Sequence, residues 1–164
     1  MKLTVDRLVV YAGHGVGRVV SKTHRAIGGV EQEVVAVEFG EGLLMSVPIE
    51  RAQLLMRALA TKAELLVVGE TLRQPSQDDQ RRWLVRKNET LARLASGSVL
   101  DLAKIIRDTA PRARAGARTK VTGNTSEREV FVKARELLSS EIGHVRGVGS
   151  AKAQDWIDEQ LAHR

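Results

Sequence analysis

The chain has no cysteine, and only 3% of its residues are aromatic. The missing thiols exclude disulfides, thiol catalysis and cysteine-ligated zinc, and they suit a reducing cytoplasm. No apolar run approaches the length that spans a membrane. The first residues, Met1 to Arg7, carry charge in place of the apolar stretch of a signal peptide. The expectation is a cytoplasmic protein with no membrane partner. Histidine is scarce too: His14, His24, His144 and His163 are scattered, none with a second ligand at metal spacing, so no metal site is expected. No serine or threonine sits in a nucleophile elbow, no P-loop lysine exists, and the carboxylates all read as lying on solvated faces. An enzyme is possible, yet nothing in these residues argues for one or for a cofactor, and a non-enzymatic protein without a cofactor is expected.

What the chain does have is an uneven charge. The net charge is +6. Residues 1–55 hold six basic and six acidic residues, and residues 56–164 hold the other 20 basic and 14 acidic ones, so the whole excess lies in the second part. A basic part joined to a neutral part suggests that one half meets an anion and the other does something else, and nucleic acid is the commonest large anion in a cell. A surface that is merely soluble and basic is the plain alternative.

The texture changes at the same place. Residues 1–55 alternate short β-like runs with glycine turns. Leu8-Val9-Val10-Tyr11 closes at Gly13-His14-Gly15, Gly28-Gly29 leads to Val34-Val35-Ala36-Val37, and Gly40-Glu41-Gly42 precedes Leu43 to Pro48. Such spacing favours a small antiparallel barrel or sandwich, with Pro48 marking its end or an edge. Gly13-His14-Gly15-Val16-Gly17 is followed by another β-like run rather than a helix, so it reads as a hairpin turn and not a phosphate loop. Beyond residue 56, apolar residues recur at three and four. The spacing predicts five helices, near 61–72, 78–95, 98–109, 125–142 and 150–162. Ser98 with Asp101 reads as an N-cap with its acidic first turn, and Ser126-Glu127 as a weaker one. Pro111 is expected to close the fourth element. The stretch from Pro111 to Asn124, with Arg112, Arg114, Arg118 and Lys120, then reads as a mobile, phosphate-contacting loop. The predicted fold is α+β with two domains: a barrel over 1–55 and a compact all-α domain over 56–164.

One aromatic residue stands out. Trp83 lies in Arg81-Arg82-Trp83-Leu84-Val85-Arg86-Lys87, with five basic residues between Arg81 and Arg93. Cations that neutralise phosphates beside a flat ring that wedges against bases suggest a DNA contact. On a helical wheel Leu84, Leu91 and Ala95 share one stripe, and Arg82, Arg86 and Arg93 the nearly opposite one. Trp83 falls between them, which suits both a wedge and a packing residue at a helix start. Val145-Arg146-Gly147-Val148-Gly149 looks like half of a helix-hairpin-helix, or a plain glycine turn, and the latter is preferred. Trp156 reads as an ordinary packing residue.

Taken in order, several segments resemble the CarD family of bacterial RNA polymerase-binding transcription regulators, including its CdnL branch. They are Val9-Val10-Tyr11 with His14-Gly15-Val16-Gly17, Val47-Pro48-Ile49, Trp83 with Arg86, Leu94-Ala95-Ser96-Gly97-Ser98, Ile106-Arg107-Asp108, and Ser126-Glu127-Arg128 leading to Lys133-Ala134-Arg135. The resemblance implies a Tudor-like (SH3-like) barrel that binds the polymerase β subunit, with Arg25 and Ile27 at the contact. It implies a helical domain on promoter DNA at the upstream edge of the melted bubble, in the minor groove. Trp83 occupies the wedge position, Arg86 and Arg128 match basic positions near the DNA, and Arg82 adjoins the wedge. Open complexes would be stabilised, by a monomer without a cofactor. The chain departs from the family pattern at Val5 and Ala12, at Ser46, where a second polymerase-contacting basic residue is usual, and at Asn88, where a lysine is usual. A divergent paralogue is one implication. The rival readings are an autonomous DNA-binding protein using the basic loop and glycine turn, and an interaction adaptor with reduced promoter activity.

Overall fold

The computed structural model describes residues 1–77, 83–118 and 125–163, with the side chains of Glu41, Trp83, Leu84, residues 114–118, Thr125 and Ser126 outside that description. The chain forms two compact units, Met1–Leu59 and Ala60–Arg164.

The first unit is a five-stranded antiparallel sheet. Strands β1 (Leu8–Tyr11), β2 (Gly15–Ile27), β3 (Val30–Phe39), β4 (Leu43–Pro48) and β5 (Met56–Arg57) lie in the order β4-β3-β2-β1-β5. β2 and β3 meet through Gly28 and Gly29, both at positive φ (62° and 82°). Two such residues between Ile27 and Val30, which are register partners, are what a tight type I′ hairpin requires, and glycine adopts them without steric cost. A bulge between Val19 and Ser21 makes Val20 the extra residue of β2 and increases the local twist. Val9, Val19, Val35, Val37, Phe39 and Val47 alternate onto one face and bury there with Leu3, Ala52 and Met56.

The expected closed barrel is not formed. β4 and β5 are the two ends of an open sheet. Helix α1 (Ile49–Leu55) stands between them in the chain and packs on β3, β4 and β5. Pro48 ends β4 as expected, because it cannot donate to a continuing ladder. The chain then turns into a helix, so the seam that strand pairing would close is filled by α1 with Ala52 inward. β5 pairs with β1, and the division between units therefore falls after Leu59, past the expected residue 55.

The second unit holds α2 (Lys62–Arg73), α3 (Trp83–Ser96), α4 (Val99–Arg118), α5 (Thr125–Arg146) and α6 (Ser150–Ala162). With α1, the described residues contain six helices where five were expected, and the additional one belongs to the sheet unit. Thr61 and Glu64 cap α2 reciprocally: the Thr61 hydroxyl accepts from the Glu64 N–H, and the Glu64 carboxylate accepts from the Thr61 N–H at 2.7 Å. α4 is central, packing on α2, α3 and α5. Its Leu102, Ile105 and Ile106 join Leu65, Val68, Leu72, Leu138, Ile142, Ile157 and Leu161 in one core. Trp156 is half-buried as expected, its ring lying over Gly69 and under the Arg146 guanidinium, 5.3 Å from the ring centre.

Two expectations fail here. α4 does not stop at Pro111 but runs through it to Arg118. A proline removes one hydrogen bond, and the residues that follow, Arg-Ala-Arg-Ala-Gly-Ala-Arg, are mostly strong helix formers. The expected loop is thus helical over 112–118, and its remainder, 119–124, lies outside the described residues. Nor are all carboxylates solvated. Glu141 is 1% exposed and accepts the N–H of Ala60 at 2.8 Å. It anchors the first residue of the helical unit, whose backbone would otherwise be buried without an acceptor.

Candidate functional site

On β2, register decides what Arg25 and Ile27 share a face with. Directly opposed residues in an antiparallel pair point to the same side. Arg25 faces Gln32 and Ile27 faces Val30, on the side away from Val19, Val35 and Val37. Ser21, Ala36 and Ser46 form a row on that same face. Ser46 is therefore on the face of Arg25, four residues along and two strands across the sheet, or about 16 Å at sheet spacings. Ile27 and Val30 are 43% and 60% exposed, so the hairpin end presents two apolar side chains beside one guanidinium. Among the described residues β4 pairs only with β3, and Leu43 and Leu44 are exposed along it.

In the helical unit, Trp83 is the first residue of α3, and Arg86 follows three residues later in the same helix. Arg82 lies outside the described residues. Arg86 is three-quarters buried at its side chain, with Nη2 3.9 Å from Glu127 Oε1 on α5. Arg112 on α4 reaches the same oxygen at 3.4 Å. Arg128, the next residue on α5, is exposed. Three helices thus meet here, with Arg86 of α3 and Arg112 of α4 brought to one carboxylate of α5. Of the expected DNA residues, Arg86 lies at this carboxylate, and Arg128 follows Glu127 in sequence as an exposed residue of α5. Arg112, read from sequence as part of a loop, joins Arg86 from a helix. Glu127 was read only as a first-turn acid, since nothing in linear order signals which cations it meets.

The segment before α3 is tied down by the pair Arg107-Asp108. The Arg107 side chain is 4% exposed and binds Asp108 through two nitrogens, at 2.7 and 3.0 Å. It also donates to Gln74 Oε1 at 3.0 Å, while Asp108 Oδ1 accepts the Gln77 N–H at 3.1 Å. Ser76 donates to the Asp108 carbonyl at 3.4 Å. A buried guanidinium is stable only when its donors are matched in this way. These bonds hold residues 74–77 on α4.

Between α5 and α6, Gly147 has φ 65° and the Val148 N–H donates to the Gly143 carbonyl at 2.9 Å. This is a glycine helix terminus, and it accounts for the Gly147–Gly149 sequence as a turn. Among the described residues no group of three His, Cys, Asp or Glu could hold a metal ion. No helix is long and apolar enough to cross a membrane, among the same residues.

Two family models match the chain. The one described as CarD-like/TRCF RID domain covers residues 3–60, and the one described as CarD, C-terminal domain covers residues 67–158. Their junction falls where the sheet unit gives way to the helical unit, and the second match alone takes in more than half of the residues. The chain belongs to the CarD/CdnL family of RNA polymerase-interacting transcription factors.

Proposed function

We propose that the protein stabilises promoter open complexes, held to the polymerase β subunit by its sheet unit and touching the upstream edge of the bubble with its helical unit. The observation that carries the DNA contact is the meeting of Arg86 and Arg112 at Glu127, with Arg86 one helical turn from Trp83 and Arg128 exposed on the same helix as Glu127. Cations in such a cluster bind phosphates through charge-assisted bonds without reading sequence. A tryptophan ring that wedges into the minor groove does so against partial unstacking, which costs a few kcal/mol per step. That cost is smallest where stacking is already broken, so a duplex–bubble junction is preferred over intact duplex. Trp83, Arg82, Arg86 and Arg128 make the contact.

For the polymerase, support comes from the hairpin end with Arg25, Ile27 and Val30, and from β4 as an open edge. An edge strand with exposed apolar residues is a template for pairing with another chain. Tethering supplies a high effective concentration, so weak and salt-sensitive DNA contacts suffice.

The test is Trp83→Ala in the full chain. Open-complex lifetime on a challenged promoter shortens, while thermal unfolding of the helical unit is unchanged. Collapse of that unit's stability would make Trp83 a core residue and end the wedge reading.

A further inference from the structure

We infer that Glu127 is an internal stand-in for a nucleic-acid phosphate, and that the Arg86–Arg112 pair it bridges is a phosphodiester subsite whose affinity it holds down. The inference rests on the proposed DNA contact of the helical unit and adds to it a new binding residue, Arg112, and a competitor. The two guanidinium groups come from different helices, α3 and α4, and reach one oxygen of a carboxylate on a third, α5, at 3.9 and 3.4 Å. A carboxylate oxygen and a phosphate oxygen make the same charge-assisted bond to arginine, so a cradle built for one accepts the other. The three side chains retain 25%, 34% and 25% exposure for Arg86, Arg112 and Glu127, which leaves the subsite reachable from solvent. The long separations matter as well. Ion pairs at such distances and exposures contribute little stability, so an arriving phosphate displaces Glu127 at small cost. Arg128 is exposed on the same helix as Glu127, and Trp83 opens the helix that carries Arg86. Arg107 provides the contrast. It is locked at 2.7 and 3.0 Å on its neighbour Asp108 and is buried, a pair made for structure rather than exchange.

The experiment measures binding of the full chain to a short DNA duplex with a premelted bubble, by fluorescence anisotropy across a salt series. Glu127→Gln keeps the size of the side chain and removes its charge. It is expected to tighten binding at low salt by roughly three- to tenfold and to steepen the salt dependence by about 0.9 for each phosphate newly engaged. Adding Arg112→Ala to Glu127→Gln is expected to remove most of that gain, and Glu127→Asp, which keeps the charge, to produce none. Circular dichroism melting checks that each variant is folded. If Glu127→Gln binds no tighter than the parent while parental binding still falls on Trp83→Ala and Arg128→Ala, the stand-in role is overturned and the DNA interface survives. If neither parent nor variant binds the bubble duplex at low salt, both are overturned.

Discussion

Gly17→Ala is expected to unfold the sheet unit at markedly lower denaturant and leave the helical unit intact. Gly17 lies on β2 between Val9 on β1 and Phe39 on β3. A Cβ built there would meet Phe39 Cε1 at 2.6 Å, Phe39 Cδ1 at 2.7 Å and Val37 Cγ1 at 2.7 Å. Ordinary contacts begin about 0.7 Å or more beyond that, near the distances at which dispersion is favourable. Neither neighbour yields easily: Val37 is 0% and Phe39 4% exposed, and a valine in a strand has few rotamers. Overpacking of this kind costs about 1–3 kcal/mol. Against it stands about 0.4–1 kcal/mol gained because alanine restricts the unfolded chain. With three contacts below 3.0 Å and both neighbours buried, the cost falls in the upper half of that range, and the net loss is about 1–2.5 kcal/mol, a large share of what a unit this small commands. With a urea slope of about 1 kcal/mol per M for so short a unit, the midpoint moves down by roughly 1–2.5 M. The chain provides its own reporters. Its one tyrosine, Tyr11, is in the sheet unit, and both tryptophans, Trp83 and Trp156, are in the helical unit. Tyrosine and tryptophan signals followed in one titration separate the two transitions. An unchanged or raised midpoint in the tyrosine signal would refute the packing argument.

Arg107→Ala is expected to cost the helical unit about 2–3 kcal/mol, somewhat below the range for breaking a fully buried pair, because Asp108 keeps the Gln77 N–H and lies 3.9 Å from Arg93; a tryptophan-monitored urea midpoint shifted by less than a tenth of a kcal/mol equivalent would contradict it. The same variant removes the Arg107 bond to Gln74 and leaves Ser76 and Gln77 on Asp108, so amide exchange that speeds up at Gln74 ahead of Gln77, before any global unfolding, is the second readout. Thr61→Ala removes the α2 cap and is expected to cost about 1 kcal/mol, read as a lower thermal midpoint of the helical unit with the sheet unit unmoved. Arg25→Glu is expected to weaken retention of purified polymerase at least several-fold and leave bubble-duplex binding as it was; equal loss of both activities would contradict the separation of roles between the units.

How much of this was legible beforehand follows from which interactions are local. The hairpin at Gly28-Gly29 depends on two residues that alone adopt the needed backbone, and it was readable from those letters. The five helices of the second unit were visible because apolar periodicity is a local signal. Gly17 was readable as part of a glycine-rich turn, but the reason it must be glycine was not. That reason is a ring 22 positions away in sequence, brought over it by strand pairing. The basic excess in residues 56–164 pointed to an anion, whereas the cluster that would meet one needed Arg86 and Arg112 to be carried to Glu127 by the packing of three helices.

The failures share that cause. Proline's local rule predicted an end to α4 at Pro111, and it lost to the helix-forming residues beyond. Barrel closure could not be judged from strand spacing, because it depends on whether β4 and β5 come within pairing distance, and α1 takes that place. Glu141 gave no sign of burial, since its partner, the Ala60 N–H, is 81 residues away. By itself the sequence determined that strands precede helices, the division into a neutral sheet part and a basic helical part, and the family. Only the tertiary structure decided which charges meet, because Coulomb attraction and hydrogen bonding act over a few ångströms in space and take no account of distance along the chain.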